Sequence, residues 1–264
     1  MDEIIGFSLS QEELLALLLI GQIPIPIGFD DLEERVWGNL TDEMKGVLFT
    51  AVERGLLARG FLNTVSEKLI IDNYVKQVLQ LCATPDYTWL IIHQPVGQLP
   101  RSSYFHQRDD LYLGHIATVG IHQFIQLTNT QEIVEIALQL VDPLPVSESS
   151  EMNGKLKEDV FSAIITQANE LTTNLLNNHL QKGGLSDEIA QAFTTTLQTL
   201  TSITAFGRLR HSDNSYIETV FTIVRGTNEQ WVLSASDDPG LIQLRPITGA
   251  AAKQLLRQFG NLIA

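Results

Sequence analysis

The chain has 264 residues, of which 44% are hydrophobic, values that are typical of a soluble globular protein. Its 31 acidic and 17 basic side chains give a formal net charge of −14, which argues against a nucleic-acid partner, because phosphate binding depends on clustered Lys and Arg. The N-terminus has acids where a signal peptide needs bases, and its longest apolar run, residues 14–20, is too short to span a bilayer. We therefore expect a cytoplasmic protein without membrane insertion.

Two patterns near the N-terminus predict a buried helix and an extended segment after it. Ser10 and Glu13 have the spacing of a capping box, in which each side chain accepts a hydrogen bond from the backbone of the other. Residues 11–20 are apolar on almost every side, which predicts a helix buried between other elements. In residues 23–27 prolines alternate with isoleucines, which favours an extended strap across the core, since proline disrupts helices and central strands.

Helical periodicity continues up to residue 83. Residues 31–58 are predicted to be helical with a break near Thr41, which can cap the second piece. Thr64 and Glu67 repeat the capping-box spacing, so a further helix is predicted over residues 68–83.

The period then changes to that of β-strands, and the resulting series of elements occurs twice. The first series has strands over 87–94, 102–108, 111–118 and 119–127 and a helix over 131–141. The second has helices over 157–180 and 186–201, strands over 203–210, 216–224, 231–235 and 241–244, and a helix over 250–259. The strand ends FIQL (124–127) and LIQL (241–244) are alike, and each precedes the closing helix of its series.

The two series predict a chain made of two similar halves. Residues 1–141 form the N-terminal half, residues 142–158 a linker rich in Pro and Ser, and residues 159–264 the C-terminal half. Helices segregated from hairpins imply an α+β fold. We expect a quasi-two-fold molecule that forms one compact domain, with a central antiparallel sheet built from both halves and flanked by helical bundles.

The chain lacks the short motifs of common active sites. Gly183 and Gly184 are not followed by the Lys-Ser/Thr pair of a phosphate loop, and there is no G-x-S-x-G or H-E-x-x-H. Cys82 is the only cysteine, and no thiolate-stabilising group is near it in sequence, so it is expected to be a small buried apolar residue. We therefore expect no catalytic residues, no cofactor and no bound metal.

Histidines are the one cluster that suggests an alternative. Those in the first set of predicted strands are His93, His106, His115 and His122. If the hairpin turns at Asp109 and Asp110, His106 and His115 become cross-strand neighbours that could bind one ion with a carboxylate, as in a metal-dependent enzyme or sensor. The other interpretation places the histidines on the solvated face of an antiparallel sheet. The second half favours that interpretation, because its strand region carries only His211, in a turn.

Two regions have the composition of protein-contact surfaces. The first strands are rich in aromatic residues, which indicates core packing or an exposed sheet face that receives a partner helix. Residues 171–201 are rich in Thr, Asn and Gln and nearly uncharged, whereas exposed helices normally carry Glu and Lys. These helices are either plain amphipathic helices with polar outer faces or a contact surface.

Several local motifs together resemble the EspG family, the cytosolic chaperones of type VII (ESX) secretion. They are Leu9-Ser-Gln-Glu-Glu13 before the proline strap, Glu53-Arg-Gly-Leu-Leu57 at a helix end, the helix-to-strand passage 78–85, and the strand-turn-strand-Pro-helix order of 231–259. Members of this family are quasi-two-fold, with a central sheet and two helical bundles. The strands depart from the family pattern, because they carry His, Gln and aromatic residues where the family has Arg and Ala.

The resemblance implies a non-catalytic chaperone or adaptor that binds a helical protein client and keeps the client's apolar end from aggregating. The implied contact positions are Arg108, Asp109 and Asp110 in the hairpin turn, and Asn177, Asn178, Gln181 and Phe193 in the second helical bundle. Besides the metal-dependent alternative, a groove between the two halves that binds a small ligand is a third hypothesis.

Overall fold

The computed structural model describes residues 6–145, 152–167, 171–211 and 216–261. The helices are α1 Gln11–Gly21, α2 Leu32–Trp37, α3 Asp42–Ala58, α4 Asn73–Ala83, α5 Thr130–Val141, α6 Glu158–Gln167, α7 Thr173–Lys182, α8 Asp187–Gln198 and α9 Gly249–Asn261. The strands are β1 Gly6–Ser10, β2 Leu62–Val65, β3 Lys68–Ile71, β4 Tyr87–Pro95, β5 Arg101–Arg108, β6 Leu111–Thr118, β7 Ile121–Leu127, β8 Gly154–Lys157, β9 Leu200–Arg210, β10 Tyr216–Gly226, β11 Gln230–Ala235 and β12 Leu241–Pro246. No helix among the described residues is both long and apolar enough to cross a membrane.

Ten of the described strands form one sheet, in the order β1-β7-β6-β5-β4-β9-β10-β11-β12-β8, and β2 pairs separately with β3. At each edge of the sheet lies one short strand, β1 or β8, and next to it lie four strands that are consecutive in the sequence. The predicted α+β fold, with a large antiparallel sheet and flanking helices, is confirmed. The internal duplication and the domain boundaries around residues 142–158 stay predictions.

The chain divides into two compact units, each with its own buried apolar cluster. Unit 1 comprises Met1–Trp89, Ser102–Thr128 and Leu209–Tyr216, and unit 2 comprises Leu90–Arg101, Asn129–Arg208 and Ile217–Ala264.

The core of unit 1 is organised around α1. The predicted capping box is present, since the Glu13 N–H donates to Ser10 Oγ at 3.2 Å and the Ser10 N–H donates to Glu13 Oε2 at 2.9 Å. The helix then buries five consecutive side chains, from Leu14 to Leu18, which explains why its sequence is apolar on almost every side. Each fully buried leucine contributes about 1.5–3 kcal/mol of transfer free energy.

One predicted helix of unit 1 is wrong over its first turn. Residues 68–71 form β3, which pairs with β2 through a hairpin turn at Ser66 and Glu67. Both turn residues have a positive φ, of 50° and 65°, so Thr64 and Glu67 do not form the predicted capping box. The cap of α4 is Asp72, whose Oδ1 accepts from the N–H groups of the next turn.

The core of unit 2 lies between α6, α7, α8 and the strands β11 and β12. Phe193 and Trp231 are fully buried with ring centroids 5.2 Å apart, and Trp231 Nε1 donates to Thr196 Oγ1 at 2.9 Å. The single helix predicted over residues 157–180 is wrong, because α6 ends at Gln167 and α7 begins at Thr173. Inside the segment predicted as a linker, β8 pairs with β12 and buries Leu156.

Candidate functional site

An open groove of about 480 Å³ lies in unit 1 between α4, the β5–β6 turn, the start of β6 and the end of β7. Its buried floor is apolar and consists of Val78, Leu81, Leu113 and Leu127. Its rim carries Leu111, of which 58% is exposed, together with Tyr74 and Asp110. Burial raises the pKa of the Tyr74 phenol, so this side chain is neutral at physiological pH. An apolar floor with a mixed rim can accept apolar side chains from another molecule.

The β5–β6 turn beside this groove is held by specific hydrogen bonds. Asp109 has a φ of 52°, a conformation that Asp tolerates better than most residues, and its N–H donates to Asp86 Oδ2 at 3.1 Å. Gln107 Nε2 donates to the carbonyl oxygen of Asp109 at 3.0 Å. Arg108 Nη1 donates to Thr84 Oγ1 at 3.0 Å. These contacts fix the turn, while Arg108, Asp109 and Asp110 are all exposed.

The structure thus brings the three predicted hairpin residues to one exposed turn, and Asp110 to the rim of an apolar groove. The groove itself was not predicted from the sequence. Its signal was Leu111, an apolar residue that directly follows two acids in a predicted turn. The floor residues could not be assigned to a groove, because their apolar periodicity is that of any core-facing element.

The four predicted positions in the second bundle lie in unit 2 and have different surroundings. Asn178 is exposed, and Asn177 is partly buried with an Oδ1 that has no hydrogen-bond partner within the described part of the chain. Gln181 Nε2 donates to Asp187 Oδ1 at 3.0 Å. Phe193 is fully buried against Trp231, so its side chain offers no exposed surface to a client.

Three of the four strand histidines are not on a solvated face, so that interpretation is wrong for them, whereas His93 is partly exposed. His106 and His115 have no exposed surface and His122 has 1%. His115 Nε2 and His122 Nδ1 are hydrogen-bonded at 3.0 Å, and the His115 ring stacks on Phe29 at 4.7 Å. His93 lies apart from them in unit 2, bonded through Nδ1 to Thr204 Oγ1 at 2.9 Å.

His106 and His115 are diagonal rather than direct cross-strand neighbours, because His106 pairs with Leu113 and His115 with Tyr104. Their ring centroids are still 6.2 Å apart. The group that joins them is Cys82 of α4, and not the exposed pair Asp109 and Asp110. The sequence signal for this contact was weak, since the apolar face of α4 predicted only that the thiol is buried.

The class that the fold defines is that of an α+β protein with a large antiparallel sheet and flanking helices. A similar solved structure is that of the Mycobacterium tuberculosis type VII secretion system chaperone EspG5 in complex with the PE25–PPE41 dimer. The TM-score is 0.63 over 98% of this chain and 97% of that chain, at 9% sequence identity. At this identity the likeness shows the shared fold.

A family model described as "Uncharacterised protein YfjC" matches residues 30–256. The match spans most of the sequence, and the chain belongs to this family. A search of curated proteins gives no match.

Proposed function

We propose that this protein is a non-catalytic chaperone or adaptor that binds a helical protein partner through the groove beside the β5–β6 turn. The observation that carries the proposal is an apolar groove with an exposed leucine and an exposed acid, Asp110, at its rim. The EspG-like fold supports it, since the similar EspG5 structure contains a PE25–PPE41 dimer as the chaperone's partner.

The chemistry of the groove indicates what kind of helix it accepts. Apolar side chains at i, i+3 and i+4 of a client helix would cover the buried floor and Leu111. Asp109 and Asp110 would face a Lys or Arg of the client, and the net charge of −14 favours a client that is basic or apolar. The hydrogen bonds that fix the turn limit the conformational entropy lost on binding.

The proposal includes the second contact surface implied by the resemblance. Asn177, Asn178 and Gln181 of unit 2 would bond polar groups of the client, while Phe193, which is fully buried, would not contact the client directly. A cytoplasmic location and a place in type VII secretion belong to the same proposal, as does the absence of catalysis.

The proposal is tested by capture from a lysate of the native host with the full-length chain and two variants. Leu111→Lys places a charge on the groove rim, and Val119→Lys places the same charge at a position with 83% exposure that does not line the groove. We expect one protein to be enriched with the wild type and with Val119→Lys but not with Leu111→Lys. That protein, produced separately, should be helical by circular dichroism and should bind the wild-type chain in a defined stoichiometry.

The expected loss of affinity for Leu111→Lys is roughly 100-fold, which corresponds to the loss of one central interface contact of about 2.7 kcal/mol. Failure to enrich any protein at low salt, or equal capture by both lysine variants, contradicts the proposed groove.

A further inference from the structure

A thiol and two imidazoles meet in the core of unit 1. Cys82 of α4, His106 of β5 and His115 of β6 each offer one ligand atom, and these atoms all lie within 4.8 Å of one another. All three residues have no exposed surface. His106 and His115 lie on the two strands of one hairpin, and the docking of α4 on that hairpin brings Cys82 to them.

The hydrogen bonds of the two imidazoles leave one nitrogen free on each ring. His106 Nδ1 is bonded to Thr88 Oγ1 at 3.0 Å, and His115 Nε2 is bonded to His122 Nδ1 at 3.0 Å. The other two nitrogens, His106 Nε2 and His115 Nδ1, are buried and have no hydrogen-bond partner among the residues that the structure describes. A buried polar atom without a partner is uncommon in folded proteins and needs an explanation.

The tautomers that satisfy these bonds point to an ion. If His106 Nδ1–H donates to Thr88 Oγ1, the Thr88 hydroxyl can donate to His211 Nε2, which lies 3.1 Å away. If His115 Nε2–H donates to His122, the free nitrogen of each ring carries a lone pair and no proton. Metal-binding histidines have this arrangement, because their second N–H is donated to a partner that fixes the ring.

The surroundings favour a metal over a proton. Burial lowers the pKa of His106 to about 3 and that of His115 well below its usual value, with a further lowering from neighbouring histidines, so both rings are neutral at pH 7. Neutral imidazole and thiolate are the forms that bind metals. Phe29 covers His115 by stacking on its ring, which shields the cluster from water.

We propose that Cys82, His106 and His115 form a three-coordinate site for a soft d¹⁰ metal ion, Cu⁺ or Zn²⁺. One thiolate and two imidazoles are ligands that both ions accept. No carboxylate of the described residues belongs to this group. Cu⁺ with one thiolate makes a neutral complex, whereas Zn²⁺ leaves one positive charge in a buried site, so we expect Cu⁺ to bind more tightly.

Two consequences follow for the bound state. The ligand atoms must approach to about 3.5 Å from one another, because metal–nitrogen and metal–sulfur bonds are about 2.0 and 2.3 Å long. The thiol must also lose its proton to solvent, because burial raises the Cys82 pKa, while the imidazoles have no proton to lose at the coordinating nitrogens. Binding of one ion therefore releases one proton.

The test uses the full-length chain, treated with a chelator and reduced under anaerobic conditions. Cu⁺ and Zn²⁺ are titrated separately in competition with chromophoric chelators, and bound metal is counted by elemental analysis after gel filtration. We expect one ion per chain, with an affinity that rises tenfold per pH unit as one proton is released. The tighter of the two ions identifies the metal of the site.

Variants connect the binding to these residues. Cys82→Ala and His106→Leu should abolish the one-to-one complex, whereas the matched control His93→Gln, at a histidine outside the cluster, should keep it. Thr88→Val removes the acceptor that orients His106 and should weaken binding roughly 10- to 100-fold without abolishing it.

A second measurement does not depend on the folding of a variant. Co²⁺ bound to the wild-type chain should show the intense near-ultraviolet band of thiolate-to-cobalt charge transfer. The proposal is overturned if that band is absent, if both Cu⁺ and Zn²⁺ bind at less than half an equivalent, or if Cys82→Ala leaves the binding unchanged.

Discussion

Three buried histidines make the stability of the metal-free protein depend on pH. Burial lowers the pKa of His122 to about 4 and that of His106 to about 3, and it lowers the pKa of His115 as well. In the unfolded chain a histidine has a pKa of about 6.5, so between these values the unfolded state binds more protons than the folded state. Stability is therefore fully present above about pH 6.5 and is lost as the pH falls towards 4.

We predict that the free energy of unfolding of chelator-treated protein falls steadily between pH 6.5 and 4.5. Each histidine contributes a slope of up to about 1.4 kcal/mol per pH unit. His115→Phe keeps an aromatic ring between Phe29 and Phe124 and removes one such group, so its slope should be smaller by up to that amount. Urea unfolding at several pH values measures both slopes, and equal slopes would show that His115 accepts no proton on unfolding.

The surroundings of single side chains were harder to predict from the sequence than the helices and strands. The alternation of side chains along a strand does not show which face of the sheet is covered by other elements. The histidines were therefore interpreted as lying on the solvent-exposed face. Phe29 decides the matter, because it comes from a loop whose path over β6 is set by tertiary packing. The proximity of Cys82 to His115 depends on the docking of α4 on the sheet, which no local pattern encodes.

The first residue of helix α9 is a glycine that packs closely against the backbone of Leu144. Comparing it with a glycine that has free space around it tests how much this close packing matters for stability. A Cβ on Gly249, the first residue of α9, would overlap the carbonyl oxygen of Leu144. A Cβ on Gly46, inside α3, would meet no atom within 4 Å. The two positions therefore separate steric conflict from helix propensity.

We predict opposite changes in stability for the two alanine substitutions. Gly249→Ala should lower the free energy of unfolding by about 3 kcal/mol or more, because backbone atoms must move to accommodate the methyl group. Gly46→Ala should raise it by about 0.5–1 kcal/mol, because alanine restricts the unfolded chain and favours the helix. Chemical denaturation measures both, and a neutral Gly249→Ala would show that the start of α9 is displaced at low cost.

Elements with strong local signals were the ones that sequence reasoning located. The Ser10–Glu13 box and the Thr41 cap mark helix starts that the structure confirms. The short strands β1, β2, β3 and β8 were missed, because four or five residues carry too little periodicity. The β2–β3 turn was not predicted either, because its two central residues are Ser66 and Glu67 and not the Asn-Gly pair that is typical of such hairpins.

For the whole molecule, the net charge of −14 should control how fast a basic partner associates. The screening length falls from about 10 Å at 0.1 M salt to about 3 Å at 1 M. We predict that the association rate with a captured partner falls roughly tenfold over this range, while the dissociation rate changes little. Stopped-flow measurements with the double variant Asp109→Asn, Asp110→Asn should give a weaker salt dependence. An association rate that does not depend on salt would contradict this prediction, because it would show that charge does not accelerate the association.

The fold class was predictable at this scale because it depends on the order of many elements, so that errors in single boundaries do not change it. Two series of strands, each closed by a helix, were enough to indicate an antiparallel sheet with flanking helices. The groove was not predictable, since it arises where α4 and the β5–β6 turn leave a gap between them.

The strand order ends on one side with β1, which has five residues and covers the outer backbone of β7 from Gly6↔Ile125 to Ser10↔Ile121. A short terminal strand presents few unpaired peptide groups to other chains. Detachment of β1 would uncover a longer row of free donors and acceptors on β7, next to alternating apolar side chains. Under acid or heat stress, polymerisation by strand addition would then begin at β7, and a partner or antibody that clamps residues 6–10 would slow it.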